Sequence, residues 1–245
     1  MKEKTDFSFT PGVLGYPIIF VLAIWVVFWI EVRFGVNFNH FGVFPRKFSG
    51  LVGVIFSPFI HGDIKHLFNN TIPLFVLSMA LFYFYRNISW KILGYGLFLT
   101  GMLTWLIARP SYHIGASGII YLLASFLFFK GFFSKHYRLV ALSLIVVFLY
   151  GGLLWYVTPI DPKISWEGHL SGLIVGLIFA FIFKKDIAVS PKYRWEQEDY
   201  DEDEDEFMRH FDEQGNFIEK LPEDETSEED QIQVNYIFKK ADKED

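Results

Sequence analysis

The stretch that decides the fold is residues 112–121, with the sequence YHIGASGIIY, in which Ser117 stands between two glycines. It leads into an apolar run, residues 119–133, that is long enough for a membrane helix. A serine alone is common in such helices, because small residues let helices pack closely. A second stretch, EGHLSGLIVG at residues 167–176, places His169 at the start of the last long apolar run. Ionisable side chains inside a membrane segment are energetically costly, so His169 indicates a functional site.

The composition indicates a membrane protein with an unusual division of charge. Of the 245 residues, 52% are hydrophobic and 20% are aromatic, and the mean hydropathy is +0.28. This is too apolar for a soluble domain of this size, and the apolar residues fall in blocks. Residues 186–245 carry 22 acidic and 7 basic side chains, whereas residues 1–185 carry 6 acidic and 15 basic ones. We therefore predict a basic membrane part and an acidic tail, and no nucleic-acid partner.

Six apolar segments predict six membrane helices. Each is long enough to cross a bilayer, and charged residues, glycine or proline mark the turns between them. The segments are residues 13–30, a second that includes His66 and ends near residue 85, and then 92–108, 117–133, 139–157 and 166–183. The predicted fold class is therefore an all-α membrane protein, a bundle of six transmembrane helices.

The segment between the first two helices, residues 34–60, is apolar but unsuited to a straight helix. Glycines and prolines interrupt it, and Arg46 and Lys47 add charge. We predict a lid-like structure that is half-embedded in the membrane interface, because irregular backbone at that depth has to be sheltered by protein.

The chain divides into a short N-terminus (residues 1–11), a helical core (12–185) and a tail (186–245). Six spans place both termini on one side of the membrane. Nine Lys and Arg residues lie at the predicted inner ends of the helices and six at the outer ends, so the positive-inside rule places both termini in the cytoplasm. Residues 196–206 form a near-continuous acidic run, and we expect the tail to be mostly disordered. We predict a multi-pass protein of a cell membrane, the prokaryotic inner or plasma membrane.

Ser117 and His169 together predict a nucleophile and its base. Both lie near the outer ends of their helices, and free N–H groups at a helix start favour a developing oxyanion. The alternative is a packing serine, which would be preferred for an isolated GASG sequence. Tyr121 lies four residues after Ser117 on the same helix face, where it could stack on the imidazole. No carboxylate is well placed as a third member, because Glu167 points to another side of its helix, so we predict a dyad.

Two further groups of residues support this site. His66 and Asn70 are four residues apart on one helix face, and both can donate hydrogen bonds to the oxygen of a tetrahedral intermediate. The alternative for this pair is two polar residues at the membrane interface. Glycines recur every four residues along the sixth helix, which predicts a flat face in close contact with the fourth helix. These glycines are Gly168, Gly172 and Gly176.

The motifs resemble those of the rhomboid family of intramembrane serine proteases. They are HxxxxHxxxN at residues 61–70, GASG at 115–118 followed by Tyr121, and HxxGxxxG at 169–176. Three motifs in this order on three helices are specific, although none is diagnostic alone. The resemblance covers roughly residues 12–185 and leaves the tail unmatched.

The resemblance implies that Ser117 is the nucleophile and His169 the general base. It implies that His66, Asn70 and the backbone N–H of Ser117 stabilise the oxyanion. Supporting positions are His61, Gly115, Gly118, Tyr121, Gly172 and Gly176. The implied partners are the lipid bilayer and the transmembrane segments of substrate proteins, which are cleaved near helix-destabilising small residues; no cofactor is expected. One departure is that Val52-Gly53 replace the Trp-Arg pair that some bacterial members carry in the first loop.

Two other classes of protein are alternatives. A catalytically silent rhomboid-like protein, which binds other membrane proteins or serves their quality control, would have lost the nucleophile or the base, and both are present here. A metal-dependent membrane protein could use the four histidines of the core, His61, His66, His113 and His169. However, the chain has no HExxH motif and no cysteine, and no carboxylate accompanies these histidines within the membrane.

Overall fold

The computed structural model describes residues 9–134, 136–161, 164–184, 200–201, 205–212 and 214–218. The chain divides into two units, Met1–Ser190 and Pro191–Asp245. Among the described residues the secondary structure is helical, and the only extended pairings are two isolated bridges. The predicted all-α class is confirmed.

The described part of the first unit contains seven α-helices. They are α1 (Pro11–Phe34), α2 (Gly53–Phe56), α3 (Ile64–Phe84), α4 (Ser89–Ile107), α5 (Ser117–Phe133), α6 (Tyr137–Tyr150) and α7 (Trp166–Ile182). Within the ranges that the structure describes, four segments are long and apolar enough to cross a membrane: Pro11–Phe34, Ile64–Phe84, Arg86–Ile107 and Tyr137–Val157. α5 and α7 are apolar but shorter, at 17 residues each. A multi-pass membrane protein is therefore supported, while the count of six spans stays a prediction.

Two helix ends differ from the predicted ones for local reasons. The apolar run 13–30 predicts a helix that ends at residues 31–33, and α1 extends one residue further, to Phe34; Gly35 ends it in a left-handed conformation (φ 64°) with its N–H bonded to the Glu31 carbonyl. The fifth predicted helix stops being α-helical at Tyr150. It continues as a 3-10 segment, Gly151–Val157, that begins with two glycines, the residue type least suited to a helix interior apart from proline.

The outer surfaces of α1 and α6 are apolar. Ile19 and Trp29 on α1, and Leu144 and Phe148 on α6, are each more than half exposed. Apolar surfaces of this extent are unfavourable in water and match the hydrocarbon of a bilayer. The exposed faces therefore agree with the membrane assignment.

α5 lies at the centre of the bundle and packs most extensively against α7. A Cβ atom added at Gly172 would collide with the carbonyl oxygen of Gly118, and one at Gly176 with the carbonyl oxygen of Leu122. The Ser125 hydroxyl donates to the Leu173 carbonyl across the same interface, at 2.7 Å. The two backbones are thus in direct contact along the predicted glycine face.

The loop between α1 and α3 is held against the C-terminal end of α4. The guanidinium of Arg46 donates to the carbonyls of Leu106 (3.2 Å) and Ala108 (2.8 Å), which have no partner in the following turn of a helix. The indole of Trp105 donates to the Lys47 carbonyl at 2.9 Å. The irregular backbone of the loop is therefore sheltered by protein, as its sequence requires.

In the second unit, Met208–His210 form a 3-10 turn, and Phe211 pairs with Phe217 in an isolated bridge. This is the short local structure that the apolar residues of this region allow. Most of the acidic run at residues 196–206, and the rest of the tail whose disorder we predict, lie outside the described residues.

The contact between α5 and α7 predicts opposite effects for two Gly→Ala substitutions. Gly172→Ala should lower the melting temperature in detergent, because overpacking costs roughly 1–3 kcal/mol and here the obstacle is backbone. Gly15→Ala in α1, where an added Cβ meets nothing within 4 Å, should raise it, since alanine favours a helix by about 1 kcal/mol over glycine. A Gly172→Ala protein as stable as Gly15→Ala would contradict the close contact.

Candidate active site

Ser117 is the first residue of α5, at the end of a constrained turn. Gly115 adopts φ 106°, a backbone conformation that other residues rarely take, and its N–H donates to the Ser57 carbonyl at 2.9 Å. The turn places Ser117 at the end of the helix where the first N–H groups have no intrahelical acceptor. Ser117 and Gly118 line a cavity of about 40 Å³, which is large enough for water.

His169 lies on the first turns of α7, and its ring is fixed by two contacts. It stacks on Tyr121 with ring centroids 4.2 Å apart and planes 10° from parallel. Its Nδ1 lies 2.9 Å from the carbonyl oxygen of Tyr156. Because a carbonyl only accepts, Nδ1 carries a proton and donates, and in the neutral imidazole Nε2 is then the acceptor.

The close packing of α5 on α7 brings the neighbours of Ser117 and His169 together. A Cβ atom at Gly118 would lie 3.4 Å from the Gly168 carbonyl oxygen, so the residues that adjoin the serine and the histidine are in contact. Within the described residues, the Ser117 hydroxyl makes no hydrogen bond, to His169 or to any other group. Catalytic hydrogen bonds of free enzymes are often long and shorten only in the substrate complex.

His66 and Asn70 converge on the turn before Ser117. A Cβ atom at Gly115 would lie 2.7 Å from His66 Nε2 and 3.6 Å from Asn70 Nδ2. Glycine at position 115 thus leaves room for both side chains. Asn70 Nδ2 is buried, and among the described residues it has no hydrogen-bond acceptor. A buried amide donor without a partner is costly, and here it lies beside Gly115, two residues before Ser117.

His61 packs behind His66, with ring centroids 5.0 Å apart in a T-shaped arrangement. It lies in the loop before α3 and is only 2% exposed. Burial, and secondly the neighbouring His66, lower the pKa of His61 to about 4. At neutral pH His61 is therefore uncharged, and it contacts the candidate oxyanion donor rather than Ser117.

His113 joins three segments around the site. Its backbone N–H and C=O pair with those of Val43 in the first loop, at 2.9 and 3.0 Å. Its Nε2 lies 3.0 Å from the Arg109 carbonyl, so Nε2 donates, and Nδ1 accepts from the Ser165 hydroxyl at 2.6 Å. Ser165 in turn caps α7 by accepting from the N–H of Gly168, at 3.3 Å. Burial lowers the pKa of His113, which agrees with a neutral ring in this network.

Glu167 is directed to the opposite side from His169. It is 1% exposed, and its Oε1 accepts from the backbone N–H of Arg109 at 3.2 Å and lies 3.8 Å from the guanidinium Nε. Ser171 donates its hydroxyl to the Glu167 carbonyl at 2.7 Å. Glu167 therefore binds the loop after α4 to the start of α7 and does not contact the imidazole of His169.

Sequence reasoning missed the two backbone carbonyls that fix the rings of the site. The Tyr156 carbonyl accepts from His169 Nδ1 at 2.9 Å. The Leu153 carbonyl accepts from the Tyr121 hydroxyl at 2.6 Å. Both belong to the 3-10 segment Gly151–Val157. The pair Gly151-Gly152 was the available signal, since it indicates that the helix does not continue unchanged. The role of Ser165 was also missed, although serine two residues before Glu167 is a common cap.

Comparison with known proteins adds an independent line of information. The family model of the rhomboid domain matches residues 49–186, more than half of the chain and all of the site residues described above. Uncharacterized proteins of Mycobacterium tuberculosis and Mycobacterium bovis are each 36% identical to the chain over 179 residues, which is 66% of the chain and 72% of the relative. An uncharacterized protein of Mycobacterium leprae is 33% identical over 162 residues, 60% of the chain and 61% of the relative.

The lowered pKa of His61 predicts a specific acid sensitivity. The pKa is about 4 in the folded protein and about 6.5 in an unfolded chain, so between these values the unfolded state binds more protons. The free energy of unfolding should therefore fall as the pH decreases from 7 to 4, by at most about 1.4 kcal/mol per pH unit from this group. His61→Asn should show a smaller fall in melting temperature between pH 7 and 5 than the wild type.

The matched control is His40→Asn, because His40 lies in the first loop but is exposed. It should keep the wild-type pH dependence. Identical slopes for the two variants would contradict the assignment of the acid sensitivity to His61.

Proposed function

This chain belongs to the rhomboid family, and we propose that it is an active intramembrane serine endopeptidase that hydrolyses peptide bonds in or near transmembrane segments of membrane proteins. The observation that carries the proposal is the state of His169. Its Nδ1 donates to a carbonyl and its ring stacks on Tyr121, so its basic nitrogen is free beside the helix that begins with Ser117. A fixed neutral imidazole next to a serine is what nucleophilic catalysis requires.

In the proposed reaction, the Ser117 hydroxyl oxygen attacks the carbonyl carbon of the scissile peptide bond. His169 Nε2 takes the hydroxyl proton, and a tetrahedral intermediate forms with negative charge on the former carbonyl oxygen. The imidazolium then gives its proton to the leaving amine, the C–N bond breaks and an acyl-enzyme remains. Water, deprotonated by the same Nε2, hydrolyses the ester and restores the serine. The cavity beside Ser117 has room for that water.

The oxyanion would receive hydrogen bonds from three donors. Asn70 Nδ2 is supported in this role by its burial without a partner, and His66 Nε2 by its approach to Gly115. The third donor is the backbone N–H of Ser117, which has no intrahelical acceptor at the helix start. Donors that are already in place lower the barrier, because they need no reorganisation when the charge develops.

We further propose that α5 and α7 also cross the membrane, which gives six spans. A helix of 17 residues extends about 25 Å, close to the roughly 30 Å of a bilayer's hydrocarbon core. With six spans and the excess of Lys and Arg at the predicted inner ends, both termini lie in the cytoplasm. Ser117 and His169 are then near the outer surface, below the level of the first loop.

The dyad predicts that removal of either member is equally damaging. Ser117→Ala and His169→Ala should each abolish cleavage, and the double variant should be no worse, because the two residues act as a unit. His113→Ala should be milder, since His113 contacts Ser165 rather than the nucleophile. The measurement is the initial rate of cleavage of a single-span substrate in lipid vesicles, at matched amounts of folded protein.

A serine-directed phosphonate should label Ser117 in the wild type and should not label Ser117→Ala. Labelling of Ser111 or Ser171 would overturn the nucleophile assignment, and an inactive His113→Ala beside an active His169→Ala would overturn that of the base. A wild type that binds single-span proteins but neither cleaves them nor reacts with the phosphonate would be a silent member of the family.

The oxyanion site predicts a loss of rate without a loss of stability. Asn70→Ala should lower kcat by about 10²–10³ while the melting temperature stays close to the wild type, because Nδ2 gives up no hydrogen bond in the free protein. His66→Ala should be impaired but measurable. Asn69→Ala, an exposed neighbour, is the control and should retain wild-type rates. An Asn70→Ala enzyme with an unchanged kcat would remove Asn70 from the site.

A further inference from the structure

A second cavity lies between α1, α3, α4, the first loop and the start of α5, and it has a volume of about 220 Å³. Its walls are apolar side chains and glycine, among them Phe20 and Ile24 of α1 and Leu93, Gly94 and Leu97 of α4. Ala116 and Ile119, which flank the candidate nucleophile in the sequence, also line it. None of the catalytic steps proposed above uses this space.

The chemistry of the walls decides what can fill the cavity. Water needs two to four polar partners, and apolar cavities of about 150 Å³ remain dry and take up hydrophobic ligands instead. Gly94 lines the cavity, is exposed, and has open space within 4 Å of an added Cβ, so we infer that the cavity opens there. Gly94 lies within the segment Arg86–Ile107, which is long and apolar enough to span a membrane. The medium at the opening is therefore lipid hydrocarbon.

Basic residues lie on the same side of α4 as the opening. Lys91 is exposed and precedes Gly94 by three residues, so the two are neighbours on the helix surface. Arg86 is exposed at the turn before α4. Among the described residues neither cation forms a salt bridge. Trp90, whose ring lines the cavity and lies 4.8 Å from that of Tyr16, is of a residue type enriched at the membrane interface.

We propose that this cavity binds one acyl chain of an anionic phospholipid, whose phosphate lies at Lys91 and Arg86. An apolar cleft that opens to the bilayer beside cationic side chains matches both parts of such a lipid. The bound chain restores the van der Waals contacts that an empty cavity lacks, so it stabilises the wall formed by Ala116 and Ile119. Binding does not depend on the proposed protease activity and is measured without it.

The test uses the purified full chain in nanodiscs that contain phosphatidylglycerol with a photoreactive group in the acyl chain. After illumination, labelled peptides are located by mass spectrometry. We expect labelling of residues 90–97 to exceed that of residues 144–149 several-fold, because α6 exposes apolar side chains there without lining the cavity. Equal labelling of the two segments would overturn the site.

Two substitutions of glycine by tryptophan distinguish labelling from within the cavity from labelling by lipid at the protein surface. Gly94→Trp should fill the opening and lower labelling of residues 90–97 several-fold, whereas Gly15→Trp, also with open space around its Cβ, should leave it unchanged. Gly94→Leu gives a smaller obstruction and an intermediate loss, in case the tryptophan variant does not fold. Equal effects of Gly94→Trp and Gly15→Trp would contradict the proposal.

Three further measurements test the preference for an anionic head group, the stabilisation of the protein by bound lipid, and whether a lipid or a protein segment occupies the cavity. Phosphatidylglycerol should label several-fold more than phosphatidylcholine with the same chains, and the double variant Arg86→Gln, Lys91→Gln should lose this preference. Added phosphatidylglycerol should raise the melting temperature of the wild type and of Gly15→Trp but not of Gly94→Trp. Equal labelling by both lipids would contradict the anionic head-group site. An unchanged melting temperature of the wild type would contradict the stabilisation by a bound acyl chain. Displacement of the label by a single-span peptide would assign the cavity to a protein segment instead.

Discussion

The direct contact between the backbones of α5 and α7 is the constraint on which the rest of the site depends. Gly172 leaves no space for a side chain against the Gly118 carbonyl, and Gly176 none against that of Leu122. Because Ser117 and His169 stand on these two helices, the distance between them is set by glycine packing rather than by a flexible loop. The hydrogen bond from Ser125 to the Leu173 carbonyl joins the same two helices along this face.

The second determinant is the 3-10 segment after α6. A regular α-helix would bond the carbonyls of Leu153 and Tyr156 to its own N–H groups. Here the two carbonyls belong to a 3-10 segment that ends at Val157, and they accept from Tyr121 and His169. One short irregular segment thus selects the tautomer of the candidate base and the position of the ring on which it stacks.

The local parts of this arrangement could be predicted from the sequence, and the parts that depend on backbone groups of distant segments could not. Residue type and helical period predict three features: the start of α5 at Ser117, the contact of the glycine face of α7 with α5, and the stacking of Tyr121 on His169. The identity of residue 156 gives no signal for its carbonyl, because every residue has one, and only the pair Gly151-Gly152 indicates that the segment is irregular. The pairing of His113 with Ser165 joins two loops 52 residues apart, and only their folded positions reveal it.

In the buried, apolar environment of α5 and α7, an imidazole without a neighbouring carboxylate is energetically favourable. An unpaired carboxylate buried beside His169 would cost several kcal/mol, and Glu167, the buried acid nearest in sequence, is already bound to Arg109. The neutral carbonyl of Tyr156 orients the imidazole without that cost. In the proposed mechanism His169 takes the proton of Ser117, and the positive charge would then develop over the face of Tyr121, whose ring centroid lies 4.2 Å away, where an aromatic ring attracts a cation. In the proposed mechanism Tyr121 therefore both orients the base and stabilises its protonated form, the part that a carboxylate plays in a triad.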